Sequence, residues 1–146
     1  MIVLDANVAA KWLLPEKGTE AALALQEGPD QLFAPTLIRL EVAGSITRRL
    51  RAEKVKDRLT HEDALDRCGR WFRILDQATL SLIPESELLE QAVKLSVEIK
   101  HTPHDCMYLA AAKGLGARLI TADRRFYDIA SPTYGIMAML DGCENN

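Results

Sequence analysis

Four carboxylates stand out by their position relative to the runs around them. Asp5 closes the apolar opening "MIVLD", and Asp123 closes "RLITAD" (118–123). Asp105 lies near the head of "HTPHDCMYLAAAKGLG" (101–116), and Glu41 interrupts the nearly all-apolar first half of "APTLIRLEVAGSITRRL" (34–50). Each has an ordinary structural use when taken alone. Asp123 suits a helix N-cap, and Asp105 follows Thr102 and Pro103 in a pattern close to a capping box. Glu41 can pair with Arg48, two turns on. Together they would do something else. Carboxylates about 5 Å apart repel by ~3 kcal/mol per pair at an effective dielectric near 20, and a domain is stable by only ~5–15 kcal/mol in all. A converged cluster therefore needs protons, arginines or metal. An all-oxygen set with open water positions suits Mg²⁺ or Mn²⁺, whose chemistry is in-line attack of activated water on a phosphodiester.

The elements that would position these acids are short and alternate. Strands are predicted at Ile2–Asp5, Leu32–Ala34, Thr79–Ile83, Arg118–Thr121 and Gly135–Leu140. Helical patterns run over Val8–Leu14, Thr19–Gln26, Thr36–Arg51, Thr60–Gln77, Ser86–Ile99, Pro103–Lys113 and Arg124–Ile129, with Gly114 and Gly116 expected to stop the sixth. Alternation of this kind predicts an α/β layered fold around a mainly parallel sheet. Functional groups in such sheets collect beyond the carboxyl ends of the strands, which is where Asp5 and Asp123 fall. Glu41 has Gly44 and Ser45 one turn later on its side of the helix, small residues that leave room for an ion or a phosphate.

With 146 residues and no repeat, low-complexity tract or linker, one domain over 1–146 is expected. No apolar run is long enough to span a bilayer, and no basic region precedes the opening strand as in a signal peptide. Cys68, Cys106 and Cys143 form no CxxC pair, which fits a reducing cytoplasm. The net charge of −3 gives no overall sign of nucleic-acid binding, yet residues 39–73 hold ten Arg or Lys against six Asp or Glu. Six of those cations crowd "TRRLRAEKVKDRL" (47–59), Arg48 and Arg49 among them. Such a run is either a solvated helix face or a surface for phosphates.

"IVLDANV", "PTLIRLEV", "PHDCMYLAAA" and "LITADRRF" appear in the order and spacing of PIN domains, and the whole chain resembles the VapC-type toxins of bacterial toxin–antitoxin pairs. The resemblance implies a three-layer PIN-like fold with a catalytic, metal-binding quartet at Asp5, Glu41, Asp105 and Asp123, supported by Asn7 and Thr121. Many relatives carry Ser or Thr where this chain has Asn7, whose amide still donates and accepts hydrogen bonds. It further implies an endoribonuclease dependent on one or two Mg²⁺ or Mn²⁺ ions that cuts structured RNA such as tRNA or rRNA. A cognate antitoxin protein as inhibitor and a homodimeric state complete the expectation. Lys11 and Arg124 are candidates for contacts to the RNA backbone, and the basic stretch 48–58, with Arg48 and Arg49, is a candidate for RNA contact or for antitoxin docking.

Competing readings are weaker. His101, His104 and Cys106 suggest zinc, but Pro103 lies between the histidines and three such close ligands rarely complete a tetrahedron. Aspartyl phosphotransfer from Asp5 would need a second acid where Asn7 stands. A PIN-like module that binds RNA or protein without cleaving it is the remaining alternative, and the presence of all four acids argues against it. Trp12, Trp71 and Phe72 are expected in the core or an interface, and Met137 and Met139 offer apolar surface for a dimer.

Overall fold

The computed structural model describes residues 1–143; the last three positions of the domain expected over 1–146 lie outside the described residues. Five strands form one parallel sheet: β1 (Ile2–Leu4), β2 (Leu32–Pro35), β3 (Leu80–Ile83), β4 (Arg118–Thr121) and β5 (Met137–Met139). Their spatial order is β3-β2-β1-β4-β5. All three residues of β1 are buried, as a central parallel strand covered on both faces requires. Its register sets Val3 opposite Phe33 on one side and Leu119 on the other.

Among the described residues, seven α-helices connect and cover the sheet: α1 (Ala6–Ala9), α2 (Thr19–Glu27), α3 (Ile38–Arg48), α4 (His61–Asp76), α5 (Glu85–Ile99), α6 (Pro103–Leu115) and α7 (Arg124–Ala130). Parallel crossovers are right-handed. The chain moves outward from β1 to β3, then returns to β4 and β5, so the helices divide between the two faces. Contacts follow that division: α1 packs on α3 and α3 on α4, while α5 packs along α6 and α7 on β5. Helices thus flank the sheet as a three-layer α/β PIN fold would have it. The reversal of strand order falls beside β1, where an open α/β sheet forms its crevice.

Local sequence accounts for the elements nearest that crevice. In α3, Ile38, Val42 and Ile46 recur at four-residue spacing and are fully buried. In α6, the run Cys106–Ala112 is buried, and its alanines let the helix approach β1, β2 and β4 closely. Thr102 caps α6 by accepting from the Asp105 amide, with Pro103 in the first turn. The helix continues through Gly114 and stops at Gly116, which takes the left-handed conformation at φ 61. Most boundaries shift by one or two residues from expectation, and the larger shifts near the crevice have visible reasons. Thr36 donates its amide to Ile83 O, prolonging the strand pairing, so α3 starts later than Thr36. Arg49–Arg51 tighten into a 3-10 turn. The first helix begins at Ala6, because the Asp5 carbonyl already accepts from Val8 and Ala9.

Trp12 and Trp71 are buried, with ring centroids 6.5 Å apart, and donate to the carbonyls of Ala22 and Arg39. Phe72 is instead 54% exposed, because it stands beside Trp71 on a helix whose inner face Trp71 occupies. Met137 is buried under β5's neighbours and Met139 is half-buried. Among the described residues, no helix is long and apolar enough to cross a membrane.

Candidate active site

Asp5 follows β1 immediately, and its amide donates to Ile120 O on the adjacent strand (3.0 Å). That pairing brings the end of β4 against it. Oδ2 of Asp5 accepts from the buried Thr121 hydroxyl at 2.6 Å and from Asn7 Nδ2 at 2.9 Å. Asn7 Oδ1 accepts from the Ala122 amide (2.9 Å), and Thr121 Oγ1 accepts from the Asp123 amide (3.0 Å). Asn7 and Thr121 therefore form a small network that fixes one oxygen of Asp5 and ties β1 to the turn after β4.

Glu41 and Asp105 reach the same place from opposite faces of the sheet. Together with Asp5, Asn7, Ser45 and Arg48 they line a cleft of about 180 Å³. The Tyr108 hydroxyl donates to Glu41 Oε2 at 2.5 Å, linking α6 to α3 across the sheet end. Asp105 Oδ2 accepts from the Thr102 hydroxyl (2.8 Å) and lies 2.7 Å from His101 Nε2, at ion-pair distance although not aligned for a hydrogen bond. The His101 ring stacks on Phe126 with centroids 5.0 Å apart. Asp5, Glu41 and Asp105 each have one oxygen held by the protein.

Asp123 is placed differently. Its Oδ1 accepts from the Phe126 amide at 2.9 Å, the N-cap arrangement of α7, and it is not among the residues lining the cleft. Among the described residues, it joins the other acids through its amide and Thr121.

The electrostatics follow from burial and crowding. Asp5, 4% exposed, has its carboxyl pushed up to about 7, first by burial and then by the charges of Asp105 and Glu41, against the lowering effect of the Thr121 hydrogen bond. Glu41 is raised by burial and by Asp105, while Tyr108, His104 and Arg48 favour its charged form. Tyr108 is held well above the usual phenol range by burial and by the neighbouring acids.

The cations divide. Lys11 is 6% exposed and its Nζ sits 2.6 Å from Glu16 Oε1, so it is turned inward to an ion pair and presents no charge to the cleft. Arg49 donates to Glu16 Oε2 (2.9 Å). Arg124 binds the Asp128 carboxylate one turn on. Arg48 donates to Ser45 Oγ at 2.8 Å and borders the acids directly.

Tyr108 does not emerge as a site residue from sequence alone, and His101 emerges only in the weaker zinc reading, not as a partner of Asp105. Tyr108 is hidden inside an apolar run, although a hydroxyl amid buried alanines and leucines signals that it needs a polar partner. His101 lies one turn before Asp105, outside the helix proper, where spacing says little.

The donor set is carboxylate and amide oxygen, chemistry suited to a hard cation. Among the described residues, no three His, Cys, Asp or Glu side chains stand close enough to enclose an ion by themselves. Burial is the first cause of the upward shift in both Asp5 and Glu41, and the charge of Asp105 adds to each.

The PIN domain family model matches residues 2–132. The chain is 25% identical to Ribonuclease VapC3 of Pyrobaculum aerophilum over 124 residues, covering 85% of this chain and 90% of that protein. It is 27% identical to Ribonuclease VapC9 of Mycobacterium tuberculosis over 128 residues, covering 88% and 90%. Its fold is similar to that of a chain in a toxin–antitoxin complex from Klebsiella pneumoniae, with a TM-score of 0.66 at 17% identity, over 94% of this chain and 96% of that one.

Proposed function

The chain belongs to the PIN domain family, and from that premise we infer that it is a VapC-type endoribonuclease toxin, dependent on Mg²⁺ or Mn²⁺, that cuts structured RNA in the cytoplasm and is neutralised by a cognate antitoxin. The observation that carries this reading is the meeting of Asp5, Glu41 and Asp105 around one cleft, with Asp5 pushed up to about 7 by burial and by the other two. Relatives named as VapC ribonucleases support the reaction class, and the fold likeness is to a chain of a toxin–antitoxin complex. A homodimer is part of the proposal.

Asp5, Glu41 and Asp105 would hold the ion directly or through its waters, using the oxygens that the protein leaves unpaired. A bound Mg²⁺ or Mn²⁺ would activate water for attack on the phosphodiester and stabilise the leaving oxygen. Thr121 and Asn7 keep Asp5 in place, and Tyr108 does the same for Glu41. Thr102 and His101 hold Asp105. Asp123 fixes the start of α7 and, through Thr121, the loop beside the cleft. Arg48 is placed to meet a phosphate of the RNA as it enters.

The test is incubation of the purified protein, free of antitoxin, with total tRNA and rRNA in Mg²⁺ or Mn²⁺, beside Asp5→Asn. Discrete cleavage products that EDTA and the substitution both abolish support the reading. Absence of cleavage of any RNA by the wild-type protein, with either metal, overturns it and favours a binding module.

A further inference from the structure

The acid cleft is continuous with a second depression of about 250 Å³, lined by Asn7, Leu14, Glu16, Ser45, Arg48 and Arg49. Asn7, Ser45 and Arg48 belong to both. A ligand chain that placed one phosphodiester over Asp5 would therefore enter or leave through this depression. Its floor is built around one carboxylate with two cations on it. Glu16 Oε1 lies 2.6 Å from the Nζ of buried Lys11, and Oε2 accepts from Arg49 at 2.9 Å. Lys11 fixes Glu16 from below, and Glu16 in turn holds the guanidinium of Arg49, whose other nitrogen is 3.8 Å from Asp57. Arg48 makes no close ion pair among the described residues; it leans on Ser45 Oγ, with Glu41 near enough to feel its charge.

We propose that this depression is the subsite for the RNA phosphate next to the one cleaved, gripped by Arg48 and Arg49, with Glu16 as the internal anion that Arg49 exchanges for the phosphate. The inference rests on the RNA-cleaving reading of the acid cleft. Arg49 is half-buried and already ordered by Glu16, so little side-chain freedom remains to be lost when a phosphate takes the place of the carboxylate. A guanidinium suits that exchange, because its fork binds either oxyanion in the same geometry. An acidic segment of a protein partner is the rival occupant. The phosphate is favoured because the depression shares three lining residues with the cleft that would hold the scissile bond.

The experiment measures binding of a fluorescent twelve-nucleotide uridylate RNA to the full chain in EDTA, as a function of salt. Variants are Arg48→Gln, Arg49→Gln, Glu16→Gln and, as a control on the opposite face of the sheet, Lys94→Gln. Each arginine variant is expected to weaken binding several-fold at low salt and to reduce the slope of log K against log salt by about one. Glu16→Gln is expected to tighten binding by a similar factor, with Lys94→Gln unchanged. Because Glu16→Gln leaves Lys11 buried without its partner, Lys11→Met with Glu16→Gln is measured too, each fold checked by circular dichroism. Wild-type binding with both arginine variants unchanged in affinity and slope overturns the subsite alone and leaves these cations to a protein partner. A Glu16→Gln variant, or the double variant, that folds and binds no tighter than wild type overturns the exchange. A wild-type protein that neither binds nor cleaves RNA removes the RNA-cleaving reading and this inference with it.

Discussion

The hydroxyl of Tyr108 and the carboxylate of Glu41 meet at 2.5 Å across the end of the sheet, one from α6 and one from α3. The contact joins helices from opposite layers at the point where the acids converge. It also favours the ionised form of Glu41, opposing the effect of burial. Tyr108→Phe removes the hydroxyl with almost no change of volume, so Glu41 should titrate higher and lose its fixed orientation. Cleavage is expected to fall roughly tenfold near neutral pH, about 1.4 kcal/mol of transition-state stabilisation. The acid limb of the pH–rate profile should move upward. A profile that only scales down, with no shift along the pH axis, would reduce Tyr108 to a packing residue.

Asp5 carries a stability prediction whose sign follows from its raised carboxyl. The unfolded side chain releases its proton near pH 4, while the folded one holds it to about 7. Between those values the folded state binds more protons than the unfolded state, so the metal-free protein loses stability as pH rises through the window, then levels off. The loss is on the order of 2–4 kcal/mol. Asp5→Asn should therefore abolish cleavage yet raise the melting temperature of the metal-free protein near pH 8 by several degrees, with little difference near pH 4. Scanning calorimetry at the two pH values decides it.

Thr121 acts as a hub, donating to Asp5 and accepting from the Asp123 amide. Thr121→Val leaves that amide without its partner in a half-buried turn and should cost about 1–3 kcal/mol. It also removes the bond that lowers Asp5, so the pH window of falling stability should extend upward. Thr121→Ser should restore both in urea titrations; a serine variant as weak as valine would point to lost methyl packing.

Ion binding and proton release are coupled through the same carboxyl. Below pH 7 the Asp5 proton must leave before an ion can bind, so Mn²⁺ affinity should rise with pH and level off above about 7. Calorimetry in buffers of different ionisation enthalpy should detect about one proton released per site near pH 6. Equal heats in every buffer would separate Asp5 from the metal.

Much of the fold is legible because its signals are local. The apolar run Ile2–Leu4 reads as a central strand, and Thr102 with Pro103 and Gly116 marks both ends of α6. These are short-range consequences of burial, capping and backbone freedom. The candidate acids are legible as residue types at strand ends and helix starts. Their final roles are less so. Asp123 satisfies the cap and is not among the residues lining the cleft, and Lys11, a candidate for RNA contact, turns inward to Glu16. In both cases a hydrogen bond or ion pair made in the folded chain decides the direction of the side chain.

By itself the sequence determined the α/β class, the strand ends that carry Asp5 and Thr121, and the four acids from which a site could be drawn. Tertiary structure alone decided which acids share a cleft. Glu41 and Asp105 stand 64 residues apart on opposite faces of the sheet, and only the strand reversal beside β1 brings them together. It also decided that Tyr108 and His101 serve those acids, and that Glu16 binds Lys11 and Arg49. Periodicity fixes which face of an element is buried. Which polar groups meet at its ends depends on packing between elements distant in the chain.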